Sequence, residues 1–297
     1  RNDRYKIDEN KQEIYLLDFK LKLKFNGKLK WVGKQGQLEI KYDNVTKKWY
    51  AKIPMVVAPT AEPTGNKKAG IDLGVVNLAS VAVEDGTWLL FKGGSVMAKY
   101  KSISMAISKE QKKLAIHGQK TSRKLERLYR KRKLLLKNAR EGMVRALIEK
   151  LYENGVGEIN VGYPKGIAQN KGNERNSNFW NYNAIISRLI DVGEEYGIKV
   201  KRVDERNTSK TCALCGKIHE DGRKQRGLYV CPNLNKAINA DLNGAVNMLH
   251  IPESVADRGK WLKAQPKVYR WTSGAGWETT SREAMKMKAV SPEPLVH

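Results

Sequence analysis

Gly70-Ile71-Asp72-Leu73-Gly74-Val75 is the stretch on which the fold of this chain turns. It has the length and apolar content of a short buried strand, yet a carboxylate interrupts it. An unpaired buried carboxylate is costly, so Asp72 needs a cation, hydrogen-bond donors or water. A turn-capping acid at a strand end is the plainer alternative. Leu78 to Val83 reads as a second strand, Gly86 as a turn and Trp88 to Phe91 as a third. Three such strands with tight turns predict an antiparallel meander.

Downstream the period changes. From about Met97 to Glu153, Leu125, Leu128, Leu135, Met143, Leu147 and Leu151 recur at helical spacing, and Gly118 separates two helices that should pair as a hairpin. Gly157 to Val161 is a buried strand, Phe179 to Tyr196 a helix, Ile198 to Val203 a strand, and Asp241 to about Leu249 a short helix. From residue 69 onward this is the element order of an RNase H-like α/β domain. Upstream, residues 1–57 alternate as strands do. Leu21, Leu23 and Phe25 lead into a hairpin turn at Asn26-Gly27, and Leu38–Tyr42 is followed by Lys48–Ile53. A small antiparallel sheet or barrel is expected there, with lysines on its wet face. Residues 58–68 form a linker. The segment from Ile251 shows weak periodicity and is expected to be partly disordered or draped on the surface.

The formal net charge is +25 with a pI near 9.9. Such self-repulsion points to a polyanionic partner, nucleic acid before an anionic membrane surface. No run of about 18 apolar residues predicts a membrane span. The first residue, Arg1, is not an initiator Met, and the strand pattern begins at once; a fragment is expected. Between Lys99 and Arg140 stand 15 Lys or Arg and only two acids, Glu110 and Glu126. An exposed helix usually carries compensating acids four residues away. Their scarcity favours a phosphate-contacting arm over a merely solvated face. Lys124, Arg127, Arg130, Lys131, Arg132 and Lys133 are its candidates, and Lys210 is another.

Two further constellations carry chemistry. In Asp241-Leu242-Asn243-Gly244-Ala245-Val246-Asn247 the acid suits a helix N-cap or first turn. The small Gly244 and Ala245 would let that helix lie close to the sheet and bring Asp241 near Asp72. Asn243 and Asn247 read as local capping and packing groups. All three cysteines lie between Cys212 and Cys231. This odd cluster argues for a reducing compartment and for metal rather than disulfides. Cys212-Ala213-Leu214-Cys215 is half of a zinc site and Cys231-Pro232 begins the other half, but position 234 is Leu. His219 is the candidate fourth ligand. A ribbon-shaped loop that has lost its metal is the competing reading.

The run Asn207 to Gly216, then Gly227 to Pro232, then Asn239 to Asn247 resembles the TnpB (OrfB) family of insertion-sequence proteins, which is related to Fanzor proteins and type V CRISPR effectors. Gly70-Ile71-Asp72-Leu73-Gly74 resembles the family's first RuvC motif. The resemblance implies an RNA-guided, metal-dependent DNA endonuclease encoded by a transposable element. Its partners would be a guide RNA from the element and a target DNA, its setting the cytoplasm and nucleoid. It implies a RuvC domain over 69–206 and 236–250 with the basic hairpin at 97–154. A wedge-like partial β-barrel over 1–58 would precede it, with a zinc-ribbon-like insert at 207–235 and a tail at 251–297. Two ions of Mg2+ or Mn2+ would sit on Asp72 and Asp241, and Zn2+ on the cysteines. Nothing in the sequence speaks to oligomeric state.

One departure matters. Family members usually carry a Glu at the end of the strand that here reads Ile159-Asn160-Val161-Gly162-Tyr163, and the position falls on Gly162. Two cations about 4 Å apart need several oxygen ligands, so a third acid must come from the same sheet edge. The next strand ends in Asp204-Glu205, and some family branches are similar in carrying a relocated Glu there. Glu205 is therefore the third candidate, an exposed loop acid being the alternative. Glu158 should sit deeper in its strand, and Glu194 lies on a helix of unassigned facing. A binding-only protein of the same family is the competing functional reading, and a structural zinc-ribbon protein the more distant one.

Overall fold

The computed structural model describes residues 3–59, 61–163, 179–204, 208–225, 227–249 and 258–279. Its centre is a mixed sheet of seven strands. Strands β8 (Lys67–Asp72), β9 (Asn77–Val83) and β10 (Trp88–Lys92) form the expected antiparallel meander. Strand β11 (Val156–Tyr163) runs parallel to β8, and β12 (Lys199–Asp204) parallel to β11. On the far side β16 (Pro266–Thr272) pairs with β10 and β17 (Gly276–Thr279) closes the edge, giving the order β12-β11-β8-β9-β10-β16-β17.

Both faces of the sheet are covered, which is why β9 reads as a continuous apolar run rather than an alternating one. Val81, Val83, Leu89 and Phe91 point to one side. There they meet helices α1 (Gly94–Ile116), α2 (Arg123–Glu153) and α3 (Tyr182–Glu195) through Tyr100, Met143, Leu147, Leu151 and Leu189. Ala82, Trp88 and Leu90, the intervening residues, face the other way. They meet helix α4 (Ala240–Asn247) and the cysteine segment. Strand periodicity of two thus divides the protein into a helical side and a cysteine side.

The helical hairpin forms as its sequence predicts. Gly118 turns the chain at φ +63°, a conformation natural to glycine, and the Ser122 hydroxyl caps α2 by accepting from the Leu125 N–H. Leu135 to Leu151 pack on the sheet, whereas Ile107, Leu114 and Leu125 form a separate small core near the tip. The hairpin therefore anchors at one end and projects at the other.

Two expectations need correcting. Asn26-Gly27 does not join a hairpin. Strand β3 (Leu21–Lys24) pairs backwards with β2 (Glu13–Leu16), which pairs with β1 (Tyr5–Asp8). The hairpin lies further on, between β5 (Glu39–Asp43) and β6 (Lys48–Lys52). Its turn is set by the Asp43 carboxylate accepting from the N–H groups of Val45 and Thr46, an Asx turn. With the short pair β4 (Lys34–Gln35) and β7 (Met55–Val56), the N-terminal region is three small sheets rather than one barrel among the described residues.

The second correction concerns the segment after Ile251, whose described part is no surface drape. Following the single-turn helix α5 (Lys260–Lys263), β16 and β17 extend the central sheet. Tyr269 stacks on Phe91 at 4.5 Å between ring centroids, and the Trp277 indole N–H donates to the Ala139 carbonyl at 2.8 Å. Backbone pairing with β10 and these long-range aromatic contacts reveal the strand, whose short alternation at Tyr269 and Trp271 is flanked by Lys267, Gly274 and Gly276.

Candidate functional site

Asp72 ends β8 on the face that carries Gly70, and both residues meet α4. A Cβ at Gly70 would lie 2.1 Å from the Ala245 carbonyl oxygen, and one at Gly244 would lie 2.6 Å from Asp72 Oδ2. Two glycines thus let the helix backbone settle on the strand, with the Asp72 carboxylate against it. Asp241 lies three residues before Gly244, one helical turn away. It occupies the first turn, and the cap is Asn239, whose side chain accepts from the N–H groups of Asp241 and Leu242. Asn77, at the start of β9, donates its amide N–H to Asp241 Oδ2. Asp72, Asp241 and Asn77 therefore gather at one corner.

The other acids sort by position. Val161 pairs with Ile71 and Gly162 with Val203, so the register carries Asp72, Gly162 and Asp204 to a common edge. Glu205, the next residue after β12, lies outside the described residues. Glu158 sits four residues before Gly162, roughly 13 Å back along the strand. There it binds the Lys201 ammonium at 2.6 Å, which holds its carboxyl below the usual range. Glu194 lies in the last turn of α3, shortly before β12 begins, and so lies at the opposite edge.

On the same face as α4, a small sheet of β13 (Arg223–Gln225), β14 (Leu228–Cys231) and β15 (Lys236–Asn239) supplies Cys231 to the cysteine cluster, and the segment before β13 supplies the rest. Ligand atoms of Cys212, Cys215, His219 and Cys231 all lie within 4.8 Å of one another. His219 Nε2 is 3.1 Å from Cys215 Sγ and 3.9 Å from Cys231 Sγ. Burial pushes the Cys212 thiol up to about 12, against the backbone N–H groups of Cys215 and Leu214. At Cys231 burial acts the same way, but the Leu234 and Asn233 N–H groups and the neighbouring thiols hold it below its ordinary value. Position 234 thus contributes its backbone, while its leucine side chain is 47% exposed. Three sulfurs and one imidazole at this spacing fit tetrahedral zinc. His219→Ala is expected to abolish stoichiometric zinc retention and Leu234→Ala to preserve it, as metal analysis of the purified variants would show.

The basic candidates divide too. Lys124 pairs with Glu110 at 2.8 Å, Arg130 with Asp43 at 3.1 Å and Lys210 with Glu220 at 2.5 Å. Arg132 donates to Ser104 and lies over the rings of Tyr100 and Tyr129. Arg127, Lys131 and Lys133 form no ion pair among the described residues. Arg127 and Lys131 line a cleft of about 600 Å3 between the hairpin and Trp271, alongside Lys99.

Comparison with known proteins bears on this arrangement. Residues 43–168 match the family described as "Probable transposase" (OrfB_IS605), and residues 182–248 match the Cas12f1-like TNB domain. The two matches together span well over half of the chain. The TnpB-like protein ORF457 of Acidianus two-tailed virus is 37% identical over 279 residues, covering 84% of this chain and 60% of that relative. The chain belongs to the TnpB (OrfB) family. It is also similar to the CRISPR-associated endodeoxyribonuclease Cas12f1 of Syntrophomonas palmitatica, 28% identical over 208 residues, covering 66% of this chain and 41% of that one. Among solved structures, a Cas12f1–sgRNA–target DNA complex superposes with a TM-score of 0.55 at 21% identity, covering 71% of this chain and 44% of that one. A CRISPR-Cas12f ternary complex gives a TM-score of 0.53, covering 73% and 45%. These likenesses establish a shared fold. The chain spans 60% and 41% of the lengths of these two curated relatives.

Sequence reasoning missed part of the site. Asn77 gave no signal, because its partner Asp241 is 164 residues away. Asn243 and Asn247 are not local caps. Their side chains bond the backbone of Thr208, Thr211 and Ala213, and so dock the cysteine loop on α4. Their i, i+4 spacing placed both on one helix face; only the fold shows what that face meets.

Proposed function

We propose that this chain carries the nuclease core of an RNA-guided DNA endonuclease encoded by a transposable element. The observation behind it is the seating of Asp72 against Gly244, one turn from Asp241, at the corner where β8 meets α4. The core is RNase H-like (RuvC), a strand meander followed by parallel strands, with α1, α2 and α3 on one face and α4 on the other. The cysteine segment is its zinc-ribbon-like insert, held by Cys212, Cys215, His219 and Cys231.

Asp72, Asp241 and Glu205 would hold two Mg2+ or Mn2+ ions, since hard divalent cations take carboxylate oxygens. Bound there, such ions supply an activated water and charge stabilisation for the leaving oxygen of a phosphodiester. The protein's own groups do the rest. Asn77 fixes one oxygen of Asp241. The glycines bring strand and helix close enough for the two carboxylates to face one phosphate. Arg127, Lys131 and Lys133, with Lys99, offer cations to the backbone of the guide RNA and the target DNA, a contact that weakens as salt rises.

Gly162 carries a second reading, in which two aspartates without a third acid leave a binding-only protein. DNA cleavage with Mg2+ or Mn2+ separates the two, using the chain co-expressed with RNA from its flanking element. Wild type is expected to cleave and Glu205→Ala to lose cleavage. Cleavage that survives in the variant would remove Glu205 from the site. RNA bound tightly with no cleavage in either would favour the binding-only reading.

A further inference from the structure

Asn243 stands two residues past Asp241 on α4 and is 1% exposed. Its Oδ1 accepts from the Ala213 N–H at 2.8 Å, and its Nδ2 donates to the Thr211 carbonyl at 2.8 Å. Those are the two peptide groups on either side of Cys212. One side chain therefore grips both peptide bonds of Cys212, a fully buried cysteine of the cluster. Asn247 Nδ2 adds bonds to the Thr211 and Thr208 carbonyls at 2.7 and 2.8 Å, and Arg258 Nη1 donates to the Ala213 carbonyl at 3.2 Å. The strand-facing side of the same short helix holds Gly244 against Asp72 and the Ala245 carbonyl over Gly70. Eight residues of helix thus lie between the cysteine cluster and the aspartate corner, bonded or packed to both.

We infer that α4 couples the two centres. Asn243 is a positioning residue through which metal loading of the Cys3His cluster sets the place of Asp241, and so the affinity of the carboxylates for a divalent cation. This rests on the carboxylate site proposed above. Without a cation, only packing and hydrogen bonds hold the four ligand atoms together, and metal binding is what fixes such loops. If Cys212 shifts, its flanking peptides shift. Asn243 must then follow, carrying α4, or leave buried donors and acceptors unpaired. The coupling is reciprocal, so a cation at the carboxylates tightens zinc in turn.

The test is Mn2+ binding by calorimetry, which needs no turnover, on the zinc-loaded chain and on the same chain stripped of zinc. Stripping is expected to weaken Mn2+ binding about tenfold, in the range that partners behind a metal ligand control. Asn243→Asp keeps the acceptor and loses the donor. It should bind Mn2+ weakly whether or not zinc is present, while cobalt substituted into the cluster still shows its thiolate charge-transfer bands. Should that variant not fold, Asn247→Ser, which removes the bonds to Thr208 and Thr211, should show a smaller loss of coupling. Unchanged Mn2+ affinity on zinc removal from the wild-type chain overturns the inference. Asp241→Asn run alongside separates the failures. If it weakens Mn2+ binding while zinc removal does not, the coupling alone is lost. If it binds Mn2+ as wild type does, the carboxylate site falls and the coupling with it.

Discussion

Asp241→Ala is expected to slow metal-dependent DNA cleavage by about a thousandfold, the scale on which single groups stabilising transition-state charge act. The fold should persist. Helix α4 keeps its Asn239 cap and the Asn243 and Asn247 bonds to the cysteine loop. A first-turn carboxylate adds only about 0.3–1 kcal/mol through the helix dipole. The group left without its partner is the Asn77 amide, which is only partly buried and can turn to water. Guide RNA binding should be unaffected, since the cations proposed to hold it lie on the hairpin. Single-turnover cleavage at saturating Mn2+, with RNA binding measured on the same preparations, checks both halves. A rate within tenfold of wild type would take Asp241 out of the chemistry.

Gly70→Ala is expected to destabilise the protein by about 3 kcal/mol, the upper range for overpacking a tight contact. The added methyl would fall 2.1 Å from the Ala245 carbonyl oxygen and 3.0 Å from Met248 Cβ. The first of these is backbone, and no rotamer change relieves it. Either α4 lifts from the sheet or β8 bends, and in both cases Asp72 parts from Asp241. Thermal melting should fall by roughly 10 °C. Gly94→Ala is the control: a Cβ there meets nothing within 4 Å, and the position begins a helix. Its melting point should hold or rise slightly. Equal melting of the two variants would show that α4 has slack against the strand.

Much of this was legible in the sequence wherever the cause is local. An acid inside an apolar strand, a long basic helical pattern broken at Gly118, and three clustered cysteines each announce themselves within a few residues. The resemblance to TnpB added the link between Asp72 and Asp241, and the small residues after Asp241 explained how helix and strand could meet. His219 was legible as a fourth ligand because metal chemistry restricts the choice once position 234 is Leu.

What the chain could not state by itself depends on partners far along it. Lys124, Arg130 and Lys210 look as free as Arg127 and Lys131 in a charge count, yet each meets an acid brought to it by folding. Tyr269 and Trp277 belong to the central sheet because β16 pairs with the distant β10, which sets Tyr269 against Phe91 and Trp277 against Ala139 of α2. Asn243 has the spacing of a helix residue and the work of a clamp. Sequence thus announced most of the elements, the candidate acids and the candidate metal-ligand set, since backbone propensity and ligand chemistry are short-ranged. Tertiary structure alone decided which charges are spent on one another, which strands complete the sheet and which helix joins the two centres. Those outcomes are set by contacts between residues that no local pattern connects.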